Sequence, residues 1–220
     1  MRIVIVEDHL MFRDLIRKSC SKRFGIDVVG ETDSGASAVE LITRLQPDAA
    51  VLDLSLPDID GFEVVEQVLK VHPTLRILIM SSHCDDYTLF RVERSRVHGF
   101  IDKNSNTVET LRVALNALKE GRVYYSAEFQ TRQKLRRADQ MSFNKVLTER
   151  ERIVLGLIAQ GMNDDEIGER LDLTPRTAQT HRSRLLRKLR VNGTPKLIAY
   201  AARIGFNQVV SRLGSLPAFP

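Results

Sequence analysis

Four groups of residues in the first half of this 220-residue chain could do chemistry together. Glu7 and Asp8 are adjacent carboxylates directly after the apolar run Ile3-Val4-Ile5-Val6. Asp53 ends a second run, Ala49-Ala50-Val51-Leu52, and a turn rich in Pro, Asp and Gly (Pro57, Asp58, Asp60, Gly61) follows. Ser81 and Lys103 come at the ends of two more runs. A carboxylate is costly to bury without a partner, so Asp53 is expected at a strand end, in a crevice. Three carboxylates gathered there repel one another unless a cation sits among them. Oxygen-only donors with few carboxylates suit Mg2+, which pairs readily with phosphate oxygens.

These groups meet only if the right elements carry them. Short apolar runs bounded by turn residues suit strands buried on both faces. Such runs occur at Arg2–Val6, Ile26–Gly30, Ala49–Leu54, Arg76–Met80 and Gly99–Asp102. Helical patterns lie between them: Leu10, Leu15 and Ile16; Ala38, Leu41, Ile42 and Leu45; Val64, Val65, Val68 and Leu69; a charged stretch over Asp85–Val97; and Val108, Leu111, Ala114, Leu115 and Leu118. Alternating strands and helices imply a parallel sheet with right-handed crossovers. Five units in about 120 residues fit a flavodoxin-like, doubly wound α/β domain with a five-stranded sheet of order 2-1-3-4-5. In that order the first and third strands are neighbours, so Glu7, Asp8 and Asp53 cluster at the carboxyl edge, where ligands of open α/β sheets bind.

The net charge of +5 is unevenly spread. Residues 1–126 carry 16 Lys and Arg against 19 Asp and Glu, whereas residues 146–220 carry 12 against 7. An acidic front and a basic back suggest two domains, the second facing a polyanion. The apolar runs are too short to span a bilayer, and a strand directly after Met1 leaves no room for a signal peptide. Cys20 and Cys84 make no disulfide framework and read as reduced thiols. A cytoplasmic protein without membrane contact is expected.

The second half announces its helices through their caps. Thr148-Glu149-Arg150-Glu151 and Asn163-Asp164-Asp165-Glu166 are capping boxes, and Thr174-Pro175 places a capping hydroxyl before proline at the first helical position. A fourth helix opens at Thr194-Pro195. A short helix, a three-residue turn and a longer basic helix make a helix-turn-helix. On the long helix Ala178, Leu185 and Leu189 share one face, while Gln179, Thr180, Ser183 and Arg187 share another. Arg176, Arg182, Arg184, Lys188 and Arg190 flank it. Amides and hydroxyls suit base edges, and cations suit phosphates.

Residues 1–122 resemble the receiver domain of two-component response regulators. The motifs are the acidic pair, Asp53-Leu54-Ser55-Leu56-Pro57 with Gly61, Ser81, and Gly99-Phe100-Ile101-Asp102-Lys103. The resemblance implies that Asp53 accepts a phosphoryl group from a sensor histidine kinase. It implies Mg2+ held by Asp8, Asp53 and the Ser55 carbonyl, with Glu7 acting through water. Lys103 would pair with the phosphoryl oxygens, Ser81 would swing toward them, and Phe100 would be the aromatic switch that rotates inward. Ser82, His98 and Asp102 depart from the family pattern and bear on packing around the fourth helix and fifth strand.

Residues 146–206 resemble the LuxR-type DNA-binding domain of NarL/FixJ-like regulators, through Leu147-Thr148-Glu149-Arg150-Glu151, Ile158-Ala159-Gln160-Gly161-Met162-Asn163, Glu166-Ile167 and Thr177-Ala178-Gln179-Thr180-His181-Arg182. The DNA-facing set expected from helix and resemblance together is Arg176, Thr177, Gln179, Thr180, Arg182, Ser183, Arg184, Arg187 and Lys188. Gln179 departs from the usual lysine and favours adenine over a phosphate or guanine contact. The last helix, through Leu197, Ile198 and Ala201, would pair two subunits on double-stranded DNA. Residues 123–145 read as a linker with a short helix in Ala127–Arg137, and 207–220 as a tail. The expectation is a phosphorylation-switched transcription factor and not an enzyme, with at most slow self-dephosphorylation. The rivals are a constitutive DNA-binding protein with a degenerate receiver and an aspartyl phosphatase. The phosphatase would want a second carboxylate where the chain has Ser55.

Overall fold

The computed structural model describes residues 1–104 and 107–206; the expected tail over 207–220 lies outside the described residues. The chain divides into two units. Among the described residues, the first contains Met1–Cys84 and Arg91–Arg132, and the second contains Asp85–Phe90 and residues 133–206.

The first unit is built on one parallel sheet. Its strands are β1 (Arg2–Val6), β2 (Asp27–Thr32), β3 (Ala49–Asp53), β4 (Arg76–Ser81), β5 (Gly99–Asp102) and β6 (Tyr124–Tyr125), in the order β2-β1-β3-β4-β5-β6. The first five follow the expected order, and β6 extends it by one. Ile5 pairs with Val51, Asp53 with Met80 and Ser81 with Asp102, so the functional strand ends stand side by side. Every residue of β3 is buried, which is why it reads as an unbroken apolar run. The crossover helices are α1 (Leu10–Ser19, prolonged by a π-helical turn Cys20–Phe24), α2 (Gly35–Leu45), α3 (Gly61–Val71), α4 (Asp86–Arg94) and α5 (Val108–Lys119). One face of the sheet packs Ile3, Ile5, Val51, Leu78 and Ile101 against Ile16 and against Leu111, Leu115 and Leu118 of α5. Cys20 belongs to that core, and burial pushes its thiol up to about 12. Neither it nor Cys84 is in a disulfide.

His98 and Asp102, the unusual residues around β5, are both accommodated. The His98 Nδ1 accepts the Ile77 N–H at 3.3 Å, and burial lowers its basicity, which suits a neutral ring. Asp102 accepts the Asn104 N–H at 2.9 Å.

The segment 123–145, expected as a linker with a short helix in Ala127–Arg137, contains that helix and two further short elements. β6 is followed by α6 (Ala127–Ala138) and a short α7 (Phe143–Val146). The second unit then holds α8 (Glu149–Ala159), α9 (Asp164–Leu171), α10 (Pro175–Leu189) and α11 (Thr194–Arg203). Both capping boxes form: Thr148 with Glu151, and Asn163 with Glu166. The Thr174 hydroxyl accepts the Thr177 N–H ahead of Pro175. Residues 172–174 make the turn between α9 and α10, with Asp172 in the left-handed conformation at φ 54°. The core of this unit joins Phe143, Leu147, Val154, Leu155, Ile158, Ile167, Ala178, Leu185, Leu197, Ala201 and Phe206, with Tyr87 and Phe90 packed against it.

Candidate functional site

At the carboxyl edge of the sheet the three acids meet as the topology requires. One oxygen from each of Glu7, Asp8 and Asp53 lies within 4.8 Å of the others. Asp53 and Glu7 are buried, while Asp8 faces solvent. Between the two buried acids sits Lys103, whose side chain is only 8% exposed. Its Nζ lies 2.9 Å from Asp53 Oδ2 and 2.6 Å from Glu7 Oε2. The other Asp53 oxygen accepts the Ser55 N–H at 3.1 Å. Burial pushes the Glu7 carboxyl above its ordinary range, the Lys103 bond and charge pull it back, and the Asp53 carboxylate adds to the upward push.

The loop from β3 to α3 is fastened at both ends. Asp58 accepts the Gly35 and Ala36 N–H groups, each at 2.8 Å, at the start of α2. Asp60 caps α3 by accepting the Phe62 N–H at 2.9 Å, and it also meets Arg91 of α4. Gly61 starts α3 hard against the strand end: a Cβ there would lie 2.6 Å from Leu54 Cα and 2.8 Å from the Asp53 carbonyl oxygen. Only glycine lets the helix begin so near the Asp53 end of β3.

On α10, Arg176, Gln179, Thr180, Ser183, Arg184 and Arg187 are exposed, as a groove-reading surface requires. Thr177 is half-buried, and its hydroxyl lies 2.9 Å from that of Thr174. Two expected DNA contacts turn inward. Arg182 bonds Asp164 at 2.8 Å, the Met162 carbonyl at 3.2 Å and Thr194 at 3.4 Å, holding three segments together. Lys188 bonds Glu151 at 2.7 Å, tying α10 to the cap of α8.

Two family models match in tandem. The response regulator receiver domain covers residues 3–116, and the luxR family of bacterial regulatory proteins covers residues 145–201. The response regulator protein VraR of Staphylococcus saprophyticus is 32% identical over 201 residues, spanning 91% of this chain and 96% of that protein. BvgA of Bordetella pertussis, described as a positive transcription regulator of virulence factors, is 31% identical over 206 residues, or 92% of this chain and 97% of that one. The chain belongs to the NarL/FixJ-type response regulators. A solved structure of RcsB from Salmonella enterica serovar Typhimurium, bound to a promoter with the phosphomimetic BeF3−, superposes with a TM-score of 0.67. At 23% identity, over 93% of this chain and 98% of that one, the likeness is one of fold.

Ser81 and Phe100, the two remaining positions expected to respond in the receiver, are both buried. Ser81 is fully enclosed, and its hydroxyl accepts the His83 N–H at 3.1 Å. Phe100, expected to rotate inward, is already 0% exposed, because Phe129 of α6 covers it with ring centroids 5.0 Å apart. The surfaces expected to pair two copies of the regulator also need correction. Leu197 and Ala201 are 0% exposed and belong to the unit's own core, so an apolar stripe expected to face a partner is spent on folding. Ile198 is half-buried.

Sequence reasoning about the regulator missed Asp58, Asp60 and Arg91 as positioning residues. The first two were visible as turn-forming aspartates three and one residues before Gly61, the second standing directly before a possible helix start. Arg91 carried no signal, since one arginine on a charged helix looks like any other.

Proposed function

We propose that this transcription regulator is switched by phosphorylation of Asp53. The observation that carries the reading is the buried Lys103 ammonium bridging Asp53 and Glu7. An Asp53 oxygen attacks the phosphorus of a phosphohistidine on a sensor histidine kinase. The new P–O bond forms as the P–N bond breaks, and the electron pair leaves on the imidazole nitrogen. Lys103 then meets the phosphoryl oxygens as a charged donor within a buried site. The Ser81 hydroxyl, now accepting from His83, turns to donate to the phosphoryl group.

The oxygen-only donor set and its spacing fit Mg2+. Asp8, Asp53 and the Ser55 carbonyl would hold it, with Glu7 through water, and the bound ion would neutralise charge during transfer. The site stores a signal and does not turn over a substrate, with at most slow self-dephosphorylation. RcsB is described as dimers bound to DNA. By analogy, phosphorylated copies of this chain pair in the cytoplasm and place two α10 helices on half-sites ~10 bp apart. No helix among the described residues is long and apolar enough to cross a membrane.

The test uses acetyl phosphate with Mg2+ on the intact chain. Wild type is expected to gain one phosphoryl group by intact mass and to bind DNA more tightly, whereas Asp53→Asn does neither. DNA binding that is the same for both proteins, with and without the donor, would leave a constitutive regulator and end the switch reading.

A further inference from the structure

We propose that Tyr124–Phe129 is the output arm of the receiver, through which movement of Phe100 is passed to α6. The proposal rests on the reading of Asp53 as phosphoacceptor.

Three observations make this segment a built part of the first unit. Its backbone brackets the switch residue: Tyr124 N–H donates to the His98 carbonyl at 3.0 Å, and Ser126 N–H donates to the Phe100 carbonyl at 2.9 Å. β5 is shaped to receive it, since a Cβ on Gly99 would lie 2.6 Å from the Tyr124 carbonyl oxygen. The side chains form a continuous aromatic cluster. Phe100 packs on Phe129 at 5.0 Å, and Tyr125 stacks on the same ring at 4.9 Å.

Phe129 is only 1% exposed and Phe100 is 0% exposed. Interiors are packed as densely as organic crystals, so one buried ring cannot turn without displacing the ring against it. Phe129 lies in the first turn of α6, which opens with the Gln130 N–H donating to the Ser126 carbonyl at 3.0 Å, and the turn is tied to β6 by Gln130 Nε2, which donates to the Tyr125 carbonyl at 2.7 Å. A push on Phe129 is therefore a push on the whole turn. On the input side, Phe100 stands three residues before Lys103, the group that answers to charge at Asp53. The path from carboxylate to helix uses one strand and one ring contact.

The test is made on the full-length protein. Backbone hydrogen exchange over residues 124–130 is compared with and without beryllofluoride plus Mg2+, and loading is verified by mass. Exchange in this segment is expected to change on loading in wild type and to stay constant in Asp53→Asn. The second measurement uses Phe129→Leu, which keeps an apolar side chain. Affinity is read on a duplex selected from random sequence by wild-type protein. The ratio of loaded to unloaded affinity is expected to fall about five-fold or more, the usual scale of coupling between sites, while loading of Asp53 is unchanged. A residue that only supported the fold would not move that ratio at constant loading. Loading without any exchange change in wild type, or an unaltered ratio in Phe129→Leu, overturns the arm alone. Failure of wild type to load overturns the phosphoacceptor reading and the arm with it.

Discussion

Arg91 grips Asp60 through both carboxylate oxygens, at 2.9 and 2.8 Å, and lays its guanidinium over the Phe62 ring at 4.2 Å. The same carboxylate caps α3, so one aspartate holds the loop that carries Ser55 and the helix that follows it. Both side chains are largely withdrawn from water, at 16% and 8% exposure. Removing one partner of such a pair leaves the other desolvated and unpaired. Asp60→Ala is expected to lower the opening free energy of the β3 and α3 amides by about 2–3 kcal/mol, combining a lost cap with a lost ion pair. Asp60→Asn keeps an acceptor for the cap and loses the charge, so it falls between. Native-state hydrogen exchange on the intact chain reads this locally, and equal protection in all three proteins would refute it.

Lys103 holds two buried carboxylates apart. Lys103→Met removes that charge and leaves Glu7 and Asp53 facing each other, which deepens the negative potential at the acidic edge. Divalent cations are expected to bind about ten-fold more tightly to this variant, a difference of about 1.4 kcal/mol. Titration calorimetry with Mg2+ measures it directly. Weaker binding would mean that the lysine helps to assemble the acids more than it competes with a cation for them.

The second unit has an acid-sensitive cap. Burial raises the Glu151 carboxyl, but bonds from Lys188 and from the Thr148 N–H and hydroxyl outweigh it and bring it below its ordinary value of 4.5. A group whose folded value is depressed stabilises the fold above its unfolded value and loses that contribution as pH falls through the folded value. Exchange protection in α8 and α10 should therefore decline as pH drops below 4.5, and Glu151→Gln should flatten this decline. Protection that fell equally in both proteins would assign the acid sensitivity elsewhere.

Two arginines on α10 are expected to behave as different kinds of residue. Arg187 is exposed, and Arg187→Ala should reduce the salt slope of DNA binding by ~0.9 with little effect on folding. Arg182 is enclosed by three partners, and Arg182→Ala should destabilise the second unit by about 2–3 kcal/mol without an equivalent change in slope. Gln179→Ala should relax discrimination at one base pair by about 1–3 kcal/mol, seen by comparing selected sequences. A common effect of all three on slope alone would mean that α10 is no more than a charged rod.

Leu197 and Ile198 separate folding from pairing. Leu197→Ala is expected to cost about 2–5 kcal/mol of stability, as for other fully buried leucines. Ile198→Ala should cost less stability than Leu197→Ala, since Ile198 is only half-buried against the core, and should weaken joint occupancy of two half-sites. Cooperative binding to paired sites measures the second effect, and unchanged cooperativity would move the pairing surface off α11.

The strands and the gathering of acids were legible because β3 and its neighbours are buried on both faces, which leaves an unbroken apolar run ending on a carboxylate. The capping boxes were legible because they act within four residues. What stayed hidden depends on distant partners. Arg182 differs from Arg187 only because Asp164, eighteen positions earlier, happens to face it. Leu197 and Ala201 form an apolar stripe whether they face a partner or their own core. β6 is two residues long, too short for any alternation to be read.

That short strand has one more effect. β5 would otherwise be the last strand of the sheet, with its outward N–H and C=O groups open to any extended chain that could line up beside them. Tyr124 and Tyr125 occupy the first half of that row, opposite Gly99 and Phe100. The regulator thereby covers that half of the edge with its own chain, and a variant truncated before Tyr124 should self-associate through β5.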